Sequence, residues 1–483
     1  MLSEAAAHAA VEAKDARFDG RFFTGVTSTG IYCRCVCTAR TPRRENRRFF
    51  PSAAAAEGAG FRPCLLCRPE RAPGLAPIDA KSRIAAEALA LIEAGALEER
   101  GMTGLAGLLG VSDRHLRRAM LAAYGASPIA IAQTHRLLTA KRLLCETRLP
   151  LGEIAFAAGF GSLRRFNAAF QERYRLSPLK VRAQARPCLE AALTLEVASR
   201  GPLDASTWLN FAAGRVVPGM EQVEGGAYRR LLRLGPHTGL LTLAPHQGGV
   251  CVRVSEGLAP AIRSLLAAIR GALDLDADMA AIDAVLDACA RLPRDRGARI
   301  PGYLDPFEAA VRAVAGQQVT VAFGRTLTQR LVDRFGESAE PIEGLSRLFP
   351  TPERLALASV DEIASLGMPG RRAECLIGLA RAVAEGRCVL QRGAVKAGRQ
   401  GLEGLKGFGP WSIAYVALRG LGDPDAFPVG DAALANALGV KGKAMAGLVD
   451  GVRPWRGYAC LRLWRQQLGL VKREERTDVS LHA

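Results

Sequence analysis

The sequence predicts a multidomain chain, mainly α with small β parts: a cysteine-rich N-terminal module, an all-α middle and an α+β C-terminal block. Three observations carry that prediction. The 483 residues exceed what one hydrophobic core serves, since single cores stop growing at roughly 250–300 residues. Five of the 12 cysteines crowd between Cys33 and Cys67, and the other seven are scattered singly. Apolar periodicity is helical over 79–185, turns to short alternating runs over 189–295, and is helical again over 296–475. The expected boundaries are therefore 1–78, 79–185, 189–295 and 296–475.

Charge narrows the partner. Lys plus Arg outnumber Asp plus Glu by 65 to 47, a net +18, which favours an acidic partner such as nucleic acid or an anionic surface. No apolar run approaches the roughly 20 residues of a spanning helix, so no membrane partner is expected. The opening "MLSEAAAHAAVEAKDARF" places acidic residues where a signal peptide has basic and apolar ones, and a cytoplasmic protein is expected. Cys145, Cys188, Cys251, Cys289, Cys375, Cys388 and Cys460, each alone in apolar sequence, read as buried small hydrophobes in a reducing compartment.

The N-terminal cluster, "GIYCRCVCTARTPRREN" and "FRPCLLCRP", reads as a metal site. Three thiols alternate at Cys33, Cys35 and Cys37, so a fourth ligand must come from elsewhere. Choosing Cys33 and Cys37 gives C-x3-C, 26 residues, then Cys64 and Cys67 as C-x2-C. Two short chelate loops joined by a long one are how four thiolates reach one Zn²⁺. A knuckle that only holds a small domain together fits the same spacing. Arg40, Arg43, Arg44, Arg47 and Arg48 suit phosphate, or a solvated charged face. The stretch "ARFDGRFFTGVTSTGIYCRCVCTARTPRRENRRFF" with "FRPCLLCRP" resembles the zinc domain of the bacterial adaptive-response (Ada-type) regulators, which repair methyl phosphotriesters. The resemblance implies that Cys33 is both zinc ligand and methyl acceptor. Cys35 departs from it, standing where the family usually has proline, and leaves open which two of the three thiols bind metal.

In the middle, "LAGLLGVSDRHLRRAMLAAYGASP" reads as helix, turn, and a second helix N-capped by Ser112, whose polar face carries Arg114, His115, Arg117 and Arg118. The pattern returns in "LPLGEIAFAAGFGSLRRFNAAFQERYRLSP", with Ser162 as N-cap and Arg164, Arg165 and Asn167 exposed. Two helix-turn-helix units joined by "IAIAQTHRLLTAKRLLCE" resemble the AraC-type DNA-binding domain, whose recognition helices enter adjacent major grooves.

Beyond residue 189 a small sheet with a helix or two is expected, then helices to about 475. Within "LEGLKGFGPWSIAYVALRG" two helical segments flank a tight "GFGP" turn, where Gly407 and Gly409 permit positive φ and bring backbone amides to a phosphate. Twenty residues after Trp411 comes Asp431, at the start of "DAALANAL". With "VRAVAGQQVTVA", "IASLGMPGRRAECLIGLA" and "RPWRGYACLRLW", these blocks resemble helix-hairpin-helix DNA glycosylases of the 3-methyladenine-DNA glycosylase II type, over about 190–475.

That resemblance implies Asp431 as the catalytic carboxylate, and Trp411 and Trp455, then Tyr415, Phe211 and Tyr458, as the walls of a base pocket. It also implies Gln317 and Gln318 as the loop that fills the gap left by a flipped base, with glutamine where leucine is usual. Ala432 stands where better-known relatives have tyrosine. Lyases of this fold carry a Schiff-base lysine where this chain has Trp411, and Lys406 lies on the wrong side of the turn, so a monofunctional enzyme without cofactor is expected. No "PCHR" stretch is present, which argues against an alkyl-guanine methyltransferase. The sum is a sensor and repair enzyme acting on double-stranded DNA, at alkylated lesions and promoter sites, with the transcription machinery as a further partner. The competing readings are a regulator whose C-terminal block senses damage without catalysis, and a glycosylase whose front half is a passive DNA tether.

Overall fold

The computed structural model describes residues 2–74, 83–184 and 193–471; Cys188 and part of the linker expected near "RPERAPGLAP" lie outside them. The first module holds α1 (Glu4–Glu12), β1 (Phe23–Val26), β2 (Ile31–Cys33), β3 (Arg47–Phe50), α2 (Ala53–Gly58) and β4 (Arg62–Pro63). Its sheet runs β3-β1-β2-β4, and the β2–β4 pair is parallel, matching Ile31 with Arg62 and Tyr32 with Pro63. One residue further along that register, Cys33 and Cys64 leave the sheet side by side.

Seven helices follow: α3 (Arg83–Ala94), α4 (Ala96–Leu109), α5 (Asp113–Tyr124), α6 (Pro128–Glu146), α7 (Leu151–Ala157), α8 (Leu163–Tyr174) and α9 (Pro178–Ala183). The internal duplication is visible in the caps. Ser112 and Ser127 start α5 and α6, Ser162 and Ser177 start α8 and α9, and each hydroxyl accepts the backbone N–H three residues on. Between them "YGASP" and "YRLSP" turn through left-handed residues, Gly125 at φ 67° and Arg175 at φ 57°.

The next block is a five-stranded antiparallel sheet of β5 (Leu193–Ala198), β6 (Glu221–Glu224), β7 (Ala227–Leu234), β8 (His237–His246) and β9 (Gly249–Val254), ordered β5-β9-β8-β7-β6. Helices α10 (Ala205–Ala213), α11 (Ile262–Ala272) and α12 (Met279–Asp287) accompany it. The last block begins with α13 (Pro306–Ala315) and α14 (Val321–Phe335). Its remaining helices are α15 (Pro352–Ala356), α16 (Val360–Ala364), α17 (Gly370–Ala384), α18 (Val395–Glu403), α19 (Pro410–Val416), α20 (Ala432–Leu438), α21 (Ala444–Gly447) and α22 (Arg456–Gln467).

This block is not wholly helical, as the periodicity suggested. Between α14 and α15 a hairpin of β10 (Ser338–Ile342) and β11 (Leu345–Arg347) intervenes. Its two-residue turn, Glu343 at φ 49° and Gly344 at φ 80°, has the positive φ at both positions that lets a tight turn follow the right-handed twist of its strands, and Leu345 buries against Leu231 and Leu240.

The modules are packed together. Leu137, Leu144, Phe166 and Phe170 of the middle share one apolar cluster with Leu195 and Val252 of the five-stranded sheet and Leu265 of α11. Lys141 of α6, fully buried, reaches Glu70 of the first module at 2.5 Å and also donates to the Cys64 carbonyl at 3.3 Å. Two buried charges are tolerated there because each is the other's partner.

Candidate functional site

The first candidate centre is built by the β2–β4 register. It sets Cys33 beside Cys64, and the turns that follow return Cys37 and Cys67, so that one sulfur from each of the four lies within 4.8 Å of the rest. The Arg34 N–H donates to the Cys67 sulfur at 3.4 Å. Four converging thiols with no carboxylate among them suit a closed, tetrahedral Zn²⁺ site. Cys35 is not part of it. Its side chain turns into the apolar cluster of Ala7, Ala10, Val11 and Phe22, donates to the Asp15 carbonyl at 3.4 Å, and burial pushes its pKa up to about 12. A cleft of about 180 Å³ reaches Cys33, Cys37 and Cys64 past Thr29, Arg40 and Thr41.

The arginine run is only partly available to a phosphate. Arg44 donates to both oxygens of Glu12, at 2.8 and 3.0 Å, and Arg47 is buried against Glu12 and the Pro42 carbonyl. Arg48 lies over the rings of Phe50 and Phe61. Arg43 is exposed, and Arg40 lines the cleft. On α5, Arg114 and Arg117 face solvent opposite Leu116, Met120 and Tyr124; on α8, Arg164 and Arg165 do so opposite Phe166, Phe170 and Tyr174. Each set is the outward face of an amphipathic helix.

The second centre forms around Asp431. As N-cap of α20 its Oδ1 accepts the Leu434 N–H at 3.1 Å and the Trp464 indole N–H at 3.0 Å, while Oδ2 accepts the Trp411 indole N–H at 3.0 Å. Three donors fix the carboxylate's plane from three elements. Trp411 and Tyr415, one turn apart on α19, stack with centroids 5.3 Å apart at 21°. Tyr415 stands 6.4 Å from Trp464, and its hydroxyl is 3.5 Å from that of Tyr303, whose ring meets Phe211 edge-on at 5.5 Å. Burial alone would raise the Tyr415 pKa. Arg215, Arg419 and the Tyr303 hydroxyl outweigh it and bring Tyr415 below the ordinary tyrosine value.

Trp464 and Tyr303 were missed from the sequence, and Trp455 and Tyr458 were expected in their place. Trp455, 5 % exposed, lies in the helical core edge-on to Tyr458, whose hydroxyl donates to Asp274 at 2.9 Å; neither makes a hydrogen bond to Asp431. The roll of α22 decides between the two tryptophans. Arg462 donates to Asp283 and Asp287 of α12 at 2.8 and 2.7 Å, and Arg465 to Asp295 at 2.6 Å, which turns Trp464 toward Asp431. Arg462 and Arg465, flanking Trp464 within the mostly apolar stretch "YACLRLW" and its end, were the available signal. Phe211 is near the centre, but its ring carries the guanidiniums of Arg215 at 4.1 Å and Arg419 at 4.7 Å rather than an open π face.

The hairpin between α18 and α19 has one glycine that is required. Gly407 has φ 95°, and a Cβ there would sit 2.8 Å from the Cys375 side chain. Gly409, by contrast, is extended at φ −94° with open space before it, so the expectation of positive φ fails there. Gln317 donates to the Gly407 carbonyl and the Ser412 hydroxyl, both at 3.0 Å, tying the α13–α14 loop to the hairpin. Gln318, next in sequence, is exposed with φ 53°. Lys406 is exposed and paired with Glu374 at 3.5 Å, outside the Asp431 cluster.

With both centres described, comparison with known proteins places the chain. Residues 6–70 match the metal binding domain of Ada, 105–184 a helix-turn-helix domain, 194–305 the AlkA N-terminal domain, and 311–440 the HhH-GPD superfamily of base excision DNA repair proteins. A probable bifunctional transcriptional activator/DNA repair enzyme AlkA from Mycobacterium tuberculosis is 39% identical over 473 residues, covering 94% of this chain and 95% of the relative. The chain belongs to this AlkA family of activator and repair enzyme fusions. Its C-terminal part is 35% identical to the DNA-3-methyladenine glycosylase 2 of Escherichia coli over 268 residues, 54% of this chain and 94% of that protein. Over 62 residues it is 50% identical to the bifunctional transcriptional activator/DNA repair enzyme Ada of the same organism, 13% of this chain and 18% of that one. This member of the AlkA family therefore joins an Ada-type zinc and helix-turn-helix module to an AlkA-type DNA glycosylase, with DNA as partner and one Zn²⁺ held by four cysteines. Among the described residues no helix is long and apolar enough to cross a membrane.

Proposed function

We propose that the chain is a monofunctional glycosylase that hydrolyses N-alkylated bases from double-stranded DNA, and that Cys33 reports backbone alkylation to the two helix-turn-helix units at promoters. The observation that carries the first part is the Asp431 carboxylate, held by two indole N–H groups beside the Trp411–Tyr415 stack. A target base must leave the helix to reach such a pocket. An N-alkylated purine is electron-poor, so its bond to C1′ needs modest help. As that bond breaks, the base takes the electron pair and the sugar becomes an oxocarbenium ion, which the fixed Asp431 anion stabilises. Water then adds to C1′, and its proton passes to Asp431 or solvent. Trp411 occupies the hairpin position of a lyase lysine and Lys406 faces away, so the product is an intact abasic strand. Gln318, exposed beside the hairpin, fills the space the base vacates.

For the second part, zinc held by Cys33, Cys37, Cys64 and Cys67 keeps its ligands deprotonated at neutral pH. The Cys33 sulfur attacks the methyl carbon of a phosphotriester; the S–C bond forms, the C–O bond breaks, and the phosphate oxygen leaves with its electron pair as a diester. The cleft past Arg40 to Cys33 supports this assignment. Methylation removes one negative charge near the DNA, so promoter affinity rises and the transcription machinery responds in the cytoplasm.

The deciding experiment is base release from alkylated duplex DNA by the full chain and by Asp431→Asn, which keeps the helix cap because Asn serves that position equally. Release by the wild type and a loss of about 100-fold or more in the variant is expected, by analogy with losing one preorganised electrostatic group. Release by neither, with DNA binding intact, would make the C-terminal block a damage sensor. Strand nicking at the lesion without added base or heat would end the monofunctional assignment.

A further inference from the structure

Each helix-turn-helix unit completes its apolar core on a different part of the glycosylase. In the first, Leu105 and Leu109 of α4 and Leu116 and Met120 of α5 share a cluster with Ala394, the N-cap of α18. In the second, Ile154 of α7 and Phe166 and Phe170 of α8 pack with Ile262 and Leu265 of α11. The turns are met in the same way. α4 ends at Gly110, φ 65°, where a Cβ would sit 2.6 Å from the Lys396 ammonium of α18. α7 ends just before Gly159, φ 87°, where a Cβ would collide with the Arg263 guanidinium of α11. Both cations stand at helix C-termini, where the backbone dipole favours positive charge.

Arg263 also reaches across to the first unit. It is 8% exposed, and its Nη1 and Nη2 donate to the two oxygens of Glu98 at 3.4 and 3.3 Å, with Nη2 also donating to the Ile92 carbonyl at 3.2 Å. Glu98 lies in the first turn of α4, and Ile92, in the last turn of α3, belongs to the first unit's cluster. Arg136 of α6, the helix that joins the units, closes the group: its Nε is 3.6 Å from Glu98, and its Nη1 donates to the Gly159 carbonyl at 3.5 Å. One buried guanidinium from the glycosylase thus stands between the two units, its planar fork bonded to one and its edge against the turn of the other.

Resting on the reading of the two units as one promoter reader, we propose that the glycosylase part has a second function as the clamp of that reader, with Arg263 the positioning residue that holds the recognition helices at one separation. The chain then accepts its two half-sites at one spacing. Moving one unit past the other would strip a buried charge of its partner, a cost that units joined by α6 alone would not meet. Holding them in place beforehand also removes an ordering cost from DNA binding. A duplex rises about 3.4 Å and turns about 35° per base pair, so three inserted base pairs displace the second half-site by roughly 10 Å and 100°. A clamped pair of helices then keeps only one of the two in its groove.

The test uses the zinc-loaded full chain and a duplex that it selects from a randomised pool, with the two half-sites located by footprinting. The wild type should bind the selected duplex about 100-fold more tightly than a version with three base pairs inserted between the half-sites, the discrimination expected when one of them is lost. Arg263→Met keeps the packing of the stem and removes the fork, and should lower that ratio to about 10-fold, while base release from alkylated duplex stays within about 3-fold of wild type. The contacts of Ser52 with Tyr124 and of Glu57 with Thr134 remain, so the preference shrinks rather than vanishes. Arg263→Lys, with the charge but not the bidentate fork, should fall between the two. If Arg263→Met does not fold, Glu98→Gln decides from the reader's side of the contact, and an intermediate ratio is expected. A ratio in the folded variants equal to that of the wild type, or a wild type indifferent to the insertion, overturns the clamp and leaves the promoter reading standing. No duplex preferred over the unselected pool overturns both.

Discussion

Replacing Trp464 with phenylalanine tests the geometry of the proposed catalytic centre around Asp431 most directly. An aromatic ring is kept, smaller by the indole's pyrrole portion, but the indole N–H that donates to Asp431 Oδ1 at 3.0 Å is removed, as is the indole face under Arg419 at 4.8 Å. A hydrogen bond to a charged group contributes about 1.5–3 kcal/mol. The Leu434 N–H still donates to the same oxygen, so the carboxylate keeps its cap and loses orientation rather than a whole solvation shell. We take about 2 kcal/mol of lost transition-state stabilisation, which is roughly 30-fold in rate. The assay is single-turnover base release at saturating enzyme, which isolates the chemical step from binding and product release. Trp455→Phe, at the N-cap of the same helix, is the control: it opens space in the helical core and costs stability, but removes no hydrogen bond to Asp431. A slower chemical step in the Trp455 variant than in the Trp464 variant, or a Trp464→Phe rate within about 3-fold of wild type, would refute the assignment.

Four further outcomes are expected. Lys141→Met strands Glu70 in the interior; breaking a buried pair costs about 3–5 kcal/mol, and because Arg68 remains 3.0 Å from Glu70 the low end applies, read as a lower temperature of zinc release that Glu70→Gln largely restores. Burial raises the Glu57 pKa to about 7, outweighing Thr134, Arg173, Tyr32 and Lys141. Between the unfolded value near 4.5 and that point the unfolded chain sheds a proton the folded chain keeps, so stability falls as pH rises, by about 3 kcal/mol across the window. Glu57→Gln should flatten the thermal midpoint between pH 5 and 8, and profiles parallel to wild type would refute the assignment. Glu93, also raised to about 7 by burial, leaves a residual slope of the same sign. Cys35→Ala should still bind one zinc by metal analysis, whereas Cys64→Ala should bind none. The gain in promoter affinity on treatment with methylated DNA should shrink steeply between about 0.05 and 0.3 M salt in gel-shift titrations, because screening shortens the range of a charge effect; a gain unchanged by salt would point to a conformational switch.

The parts legible in the sequence were those written in local code. Ser112 and Ser162 announce their helices because a cap is read from its own residue and the next three. The cysteine spacing pointed to a four-thiol site but left open which two of Cys33, Cys35 and Cys37 take part, and the burial of Cys35 beneath α1 removes that thiol from contention. The hairpin and Asp431 stood in a recognisable order. What escaped depends on contacts between distant segments. Whether Trp464 of α22 or Trp455 at its N-cap meets Asp431 is set by Asp283, Asp287 and Asp295, 170 or more residues upstream of the arginines they bind. Tyr303 joins the Asp431 cluster through a contact with the Tyr415 hydroxyl 112 residues away, and the arginines over Phe211 come from two different modules of the fold. The β10–β11 hairpin was hidden because its strands are short and half polar, held by Leu345 docking on β7 rather than by any alternating pattern of their own.

The same distant contacts constrain how a signal travels. Lys141 bonds Glu70 and the Cys64 carbonyl at once, so the backbone of a metal ligand and the helix joining the two helix-turn-helix units are held by one ammonium group. Glu57, from the first module, accepts from Tyr32 at 3.0 Å and from Thr134 of α6 at 2.8 Å, and faces Arg173 of α8 at 3.7 Å. Ser52 donates to the Tyr124 carbonyl at the end of α5 at 2.7 Å. Both recognition helices are therefore tied to the first module by separate buried contacts, and a hinge between them would have to break several at the cost of stranded buried groups. A methyl group on Cys33 changes local charge without requiring any of these to open. Within the function proposed here, the economical route from Cys33 to the promoter is electrostatic, through a rigid body whose phosphate-facing charge is altered in place.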